Sequence, residues 1–335
     1  MFIKKHNLVK PLIIIGLLML LILSCVKKDN APKTEELILY ANITSIEQIL
    51  DDFEMETGIK VKYHRISTTD YLDTVMRESE IDSLKADIFQ APIIILDQLS
   101  NKNLLAPYTS TAALHYPDWA KRESEGIYKF AIEYVGILYN SSFLNPEEIP
   151  QKYQDLIDQK WRGKLVMPNP ATHPTTISWL VALKEHIFSD NEDEWESFIK
   201  ALAENNPLFV DSFTPTVSVI LNGERPIGIS MPKYIITNKD SALDYAKIEP
   251  MLGSLRGIGI SSETKNPEAA RKFIDFWLSE AVGEYLANEV GEYVLTPNVF
   301  PPIDGIEYIS VIPIKELPEE EITRWGAYFK KIFTL

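Results

Sequence analysis

The chain alternates short apolar runs with amphipathic stretches. Glu36 to Asn42 (ELILYAN) alternates as a strand does, and Ile46, Ile49, Leu50 and Phe53 then fall at i, i+3, i+4, i+7, the stripe of a half-buried helix. Ser45 with Gln48 predicts a capping box at its start, and Gly58 a left-handed stop. Ile59 to Ser67 reads as a second strand. Thr68-Thr69-Asp70 then caps a helix carrying Leu72, Val75 and Met76. Ala86 to Gln90 is a third strand, followed by a short helix through Leu99. Strand, helix, strand, helix, strand predicts a parallel α/β sheet.

Tyr128 to Asn140 (YKFAIEYVGILYN) is long enough for a strand pair or for one strand crossing between lobes. Asn145-Pro146 and Ile149-Pro150 interrupt, and Lys164 to Met167 begins a new set of strands. Pro174-Thr175-Thr176 opens a helix to Phe188, and Trp195, Phe198, Ile199 and Leu202 mark another. Leu208 to Asp211 reads as a strand, Thr214-Pro215 as an N-cap followed by Pro at the first helical position. Ile227 to Met231 and Gly257 to Ser261 are further strands, and Asn266-Pro267 opens a helix bearing Phe273, Phe276 and Trp277. These aromatics, like the other Trp residues, follow core spacing, and Glu192-Asp193-Glu194 suits a helix start without needing a function. No internal repeat interrupts the pattern, which predicts two α/β lobes.

At 335 residues, one hydrophobic core would be too large, which also favours two lobes. The net charge of −15 argues against nucleic acid as a partner, because phosphate neutralisation needs a basic surface. The single Cys excludes an intramolecular disulfide framework and a cysteine-rich zinc site. That residue, Cys25, has an informative position. Lys4, Lys5 and Lys10 precede an unbroken apolar run from Leu12 to Leu23, too short for a stable spanning helix and suited to a secretory signal. Ile22-Leu23-Ser24-Cys25 resembles a bacterial lipobox, although Leu23 is bulkier than usual; the other reading is an uncleaved anchor with an incidental cysteine. Residues 1–24 are thus expected to be a lipoprotein signal peptide, Cys25 the acylated residue, and 25–35 a tether to the folded body. The protein is expected outside the cytoplasm, lipid-anchored to a bacterial membrane.

Candidate chemistry gathers where strands meet helix starts, the place where open α/β sheets bind ligands. Four junctions share one character: Asn42 and Thr44; Ser67, Thr68 and Thr69; Thr172, His173, Thr175 and Thr176; Thr214 and Thr216. Each sets hydroxyls or an amide beside the unpaired N–H groups of a helix start, where the dipole favours an anion. Each residue is also an ordinary helix cap, so these are candidate ligand contacts and equally candidate caps. Tyr234 and Arg256, with Lys233, could face the same cleft, Arg being the better bidentate partner of an oxyanion. His173 could donate to an anion or gate binding with pH. His64, in an apolar strand, reads as structural.

In order along the chain, LILYANITSIEQILDDFEMETGIKV, KADIFQAP, NLLAPYTS, VGILYNSSFL, KWRGKLVMPNPATHPTT, LNGERPIGIS and GIGISSETKNPEAARKFIDFWLS resemble the type II extracellular solute-binding proteins of ABC importers, in the group containing ferric-iron and organophosphate or phosphonate binders. The resemblance implies two lobes, each a mostly parallel sheet flanked by helices, with a small-molecule solute in the cleft and an ABC permease as partner. It implies no cofactor and no covalent chemistry. The lobes would comprise 36–134 with 255–297, and 135–254 with 298–335, in a monomer. Iron binders of this group use a His after the first strand, a Glu after the third and a Tyr pair. Here the matching positions hold Thr44 or its neighbours, the Gln90-Ala91-Pro92 turn, and Lys233-Tyr234. This departure argues against iron bound in that way and for an anionic solute such as a phosphate ester, phosphonate or carboxylate, with ferric iron in a non-standard or anion-assisted site as the alternative. G-x-S-x-G, H-E-x-x-H, the P-loop and G-x-G-x-x-G are all missing, so no catalytic residue is assigned; a hydrolase, or a surface sensor or adhesin on the same fold, remains the rival class.

Overall fold

In the computed structural model the described residues are 36–335. The expected signal peptide, the tether and Cys25 lie outside them. No helix among the described residues is long and apolar enough to cross a membrane.

The first half begins with β1 (Glu36–Ala41), α1 (Glu47–Thr57), β2 (Lys60–Arg65), α2 (Thr68–Glu80), β3 (Ile88–Pro92) and α3 (Ile93–Asn101), then two short strands, β4 (Leu105–Ala106) and β5 (Lys121–Arg122). β1 pairs in parallel with β2 and β3, as the alternating pattern predicts. α1 buries Ile49, Leu50 and Phe53, and Gly58 (φ 71°) ends it by donating its N–H to Glu54 O at 2.8 Å. The capping box does not form. Ser45 takes a left-handed φ of 62°, Ile46 stands at the N-cap with no side-chain cap bond, and Gln48 donates to Asp52 instead.

β6 (Ile127–Asn140) is one continuous crossing strand. Beyond it lie β7 (Leu165–Pro168), α4 (Pro174–His186), α5 (Glu192–Glu204), β8 (Leu208–Val210), α6 (Phe213–Leu221), β9 (Ile227–Ser230), α7 (Tyr234–Thr237) and β10 (Leu243–Tyr245). α6 begins one residue before the expected cap, with Ser212 extended at the N-cap position, so Thr214 and Pro215 sit inside its first turn. β11 (Met251–Ser261) starts six residues earlier than the sequence suggests, because Gly253, Ser254 and Arg256 blur its apolar pattern. The chain finishes with α8 (Pro267–Trp277), α9 (Glu280–Tyr285), β12 (Tyr293–Val294), β13 (Val311–Pro313) and α10 (Glu319–Ile332).

The strands follow the order β2-β1-β3-β11-β6-β9-β7-β8. β11 is antiparallel to both β3 and β6, so the sheet is mixed. β6 pairs with β11 over Tyr128–Val135 and then with β9 over Gly136–Tyr139. Along both long strands the buried side chains change company. Phe130, Ala131 and Ile258 pack with Phe53, Phe273 and Trp277; Val135, Ile137 and Leu252 pack with Trp195, Phe198 and Phe329. These two of the four buried clusters among the described residues therefore share β6 and β11 as common members.

The two strands touch closely at Gly253, where an added Cβ would lie 2.6 Å from the Glu133 carbonyl oxygen and 2.7 Å from the Ile132 side chain. Gly253→Ala is expected to destabilise the protein by about 1–3 kcal/mol through overpacking, read as a lower midpoint in urea.

Candidate functional site

The loop after β1 is held from below by Gln90, fully buried on β3, whose Oε1 accepts the N–H groups of Asn42 (3.2 Å) and Ile43 (3.0 Å). The side-chain acceptor of Gln90 is thereby spent on the backbone. With the loop held, the Asn42 side chain spans two neighbours. Its Nδ2 donates to Thr68 Oγ1 at 3.1 Å, and its Oδ1 accepts from the Arg256 guanidinium at 3.0 Å.

Arg256 leads into a four-charge cluster at the strand crossing. It sits on β11 with its side chain 5% exposed, and pairs with Glu133 on β6 and, through Nε at 3.2 Å, with Glu292 just before β12. Lys233, following β9, completes the ring at 3.3 Å from Glu133 and 3.2 Å from Glu292. Two cations and two carboxylates cancel, which is what permits Glu292 to have a side chain with no exposure at all. Burial alone would raise the pKa of Glu133, but Arg256 and Lys233 outweigh it and hold the carboxyl well below the usual carboxylate range. Burial likewise opposes the charge on Lys233, yet Glu292 and Glu133 leave its pKa raised. Asn42, Glu292, the two crossing strands and the end of β9 are thereby tied together through charge.

On the other side of the cluster stand the α4 and α6 junctions. His173 is the N-cap of α4: Nδ1 meets Thr176 Oγ1 at 2.9 Å and accepts the Thr176 N–H at 3.3 Å. Its ring packs edge-on against Phe213 at the start of α6, with centroids 4.9 Å apart. Burial holds the His173 pKa down at about 4, with the nearby Glu133 charge pulling the other way. Thr214, next to Phe213, shares a 3.0 Å hydrogen bond with the Tyr234 hydroxyl, and Tyr234 follows Lys233. The contacts thus run without a break from Thr68 through Asn42, Arg256, Glu133 and Lys233 to Tyr234 and Thr214, with His173 against the neighbouring Phe213.

Other candidates serve the helices. Ser67 caps α2, its Oγ accepting the Asp70 N–H at 3.2 Å. Thr176 is buried in the His173 cap, and buried Thr216 donates to the Ser212 carbonyl at 3.1 Å. Thr44 and Thr172 are exposed and Thr175 half-buried, all outside this chain of contacts. The Thr69 side chain lies outside the description. Glu133 and Glu292 escaped the sequence reading, although Glu133 was visible as a carboxylate inside the apolar run of β6; Glu292 lies in a loop and carries no such signal. Among the described residues, no three His, Cys, Asp or Glu side chains are grouped as a metal site.

The fold and these motifs have relatives. The chain belongs to the bacterial extracellular solute-binding proteins, whose family model matches residues 85–310. It is 22% identical over 308 residues to the Iron uptake protein A1 of Synechocystis sp., covering 83% of this chain and 82% of that protein. Among solved structures it resembles the substrate binding protein of an ABC transporter from Agrobacterium tumefaciens (TM-score 0.73, 14% identity, 91% of this chain and 96% of that one). It also resembles iron-bound HitA from Pseudomonas aeruginosa (TM-score 0.71, 16% identity, 90% and 100%). These likenesses establish the two-lobe binding-protein fold, and the relatives are transport proteins rather than enzymes.

Arg256→Met is expected to cost about 3–5 kcal/mol in urea unfolding, because it strands Glu292 in the interior beside Lys233 alone. His173 has a folded pKa of about 4 against an ordinary 6.5, so its contribution is complete above pH 6.5 and fades as pH falls toward 4. The variant His173→Gln should therefore lose less stability than the native protein between pH 6.5 and 4, by about 2–3 kcal/mol at most.

Proposed function

We propose that this chain is the extracytoplasmic solute-binding lipoprotein of an ABC importer, acylated at Cys25, that captures a small anionic solute between its lobes and delivers it to a membrane permease as a monomer. The lobes are 36–134 with 255–297 and 135–254 with 298–335, joined through β6 and β11. The observation that carries this reading is the line of contacts joining the loop after β1, the start of α2, the strand-crossing cations and, through Lys233 and the adjacent Tyr234, the start of α6. The loop and the α2 start come from the first half of the chain and the α6 start from the second, with His173 beside it. Asn42, Thr68, Thr214 and Tyr234 offer neutral donors at its ends, which suits a phosphate ester, phosphonate or carboxylate. The chain acts by binding and carries out no covalent step.

A second reading is favoured by the relatives, one of them an iron uptake protein and another solved with iron bound. Ferric iron wants several anionic oxygens. Here a ferric complex would find the Tyr234 hydroxyl and His173, with the carboxylates of a bound organic acid making up the set. Tyr234→Phe separates the readings by degree: a metal that needs the phenolate is lost, whereas an anion loses one of several donors.

A thermal-shift panel tests both. A ligand at 100 times its Kd should raise the melting temperature by about 5 °C. Phosphate esters, phosphonates and simple carboxylates are expected to do so, with Thr214→Val losing about tenfold in affinity. A response to ferric citrate alone, abolished by Tyr234→Phe, supports the iron reading; turnover of any compound overturns both. Cys25→Ala is expected to move the protein from the membrane fraction to the soluble fraction.

A further inference from the structure

α3 starts without a cap of its own. Its N-cap is Pro92, no acidic residue lies in its first turn, and Ile93 and Ile94 follow directly. The Ile94 N–H instead finds Glu316, 222 residues away, at 3.2 Å. The two partners belong to different cores. α3 packs its Ile95, Leu96 and Leu99 with β1 and β3, whereas Ile314 and Leu317, on either side of Glu316, pack with α4, α5 and α10. Between them is a cavity of about 380 Å³ walled by Ile93, Ile94, Leu255, Ile314 and Pro318.

A carboxylate at a helix N-terminus is ordinarily favoured by the dipole. Here its surroundings work against ionisation. The walls are apolar, and Glu133 on β6 adds a like charge. The Ile94 N–H, a hydrogen bond with Ser254 and the charge of Arg256 on β11 oppose this but do not win, so the pKa of the carboxyl is pushed up to about 7. The other ionisable groups facing the cavity are Asp97 on α3, already paired with Arg122, and Lys315 on the same segment as Glu316.

We propose that Glu316 is a proton-dependent tie between the cluster around α3 and the core around α4, α5 and α10, bridging the 314–318 segment to the start of α3 when neutral and leaving the cavity when ionised. The inference is independent of which solute the cleft holds. The sign follows from linkage. A carboxyl whose pKa is higher when docked than in solvent favours docking fully below its ordinary value of 4.5 and loses that preference as pH rises to about 7. Docked and undocked arrangements of the halves would therefore exchange between mildly acidic and neutral surroundings. That is a useful property for a binding protein, which must part its lobes to release cargo.

The test is hydrogen–deuterium exchange on the full-length protein at pH 5.5 and pH 8, corrected for intrinsic exchange rates. Amides at the start of α3 are expected to be about tenfold better protected at pH 5.5 than at pH 8, while those of α5 change little. Glu316→Gln keeps the acceptor oxygen but cannot ionise, so its α3 protection should be equal at both pH values. Glu316→Ala should be poorly protected at both; if it fails to fold, the comparison of native protein with Glu316→Gln still decides. Equal protection of native α3 at the two pH values, a change shared equally by α5, or a pH response that survives in Glu316→Gln overturns the proposal.

Discussion

The pairing of Arg256 with Glu133 across the two long strands is the constraint on which the rest of this structure depends. Each residue is expensive to bury alone, and neither core has room for an unmatched charge. Glu292 and Lys233 make the cluster neutral, and each brings its own segment with it. The end of β9, the approach to β12 and the loop after β1 are thereby pinned to the crossing. Two cores that would otherwise share only β6 and β11 acquire a common polar centre.

That centre shapes what the cleft can recognise. The cations Arg256 and Lys233 are compensated from within by Glu133 and Glu292, so the cluster is neutral rather than a bare positive pocket. Under the proposed reading, discrimination would rest on directed hydrogen bonds from Asn42, Thr214 and Tyr234, which reward shape and donor geometry more than charge. The overall −15 of the chain is compatible with an anionic cargo for the same reason, since the local arrangement of donors sets the field in a cleft.

His173 and Glu316 both feel the charge of Glu133, and burial keeps both neutral near pH 6 by shifting their pKa values in opposite directions. Acid charges the first and alkali the second. Each stands at a contact between segments distant in sequence, so protonation alters how those segments meet more than it alters either core.

Much was legible before any coordinates. The helical stripes of α1 and α5, the left-handed stop at Gly58, the strand run of β1 to β3 and the crossing character of Tyr128–Asn140 are local, because apolar periodicity and backbone preference act over a few residues. The same locality explains the errors. Ser45 had the right chemistry for a cap and the wrong backbone, and β11 was half hidden because its Gly253 and Arg256 make sense only against β6. Candidate ligand residues at helix starts could be named from sequence, but caps and ligand contacts use the same side chains. Only the tertiary structure separated Ser67, Thr176 and Thr216, which bond within their own helix starts, from Asn42, Thr214 and Tyr234, which bond across elements. Only the tertiary structure, too, brought Glu133, Glu292 and Glu316 to their partners, because ion pairs and hydrogen bonds between residues up to 222 positions apart leave no periodic trace in the chain.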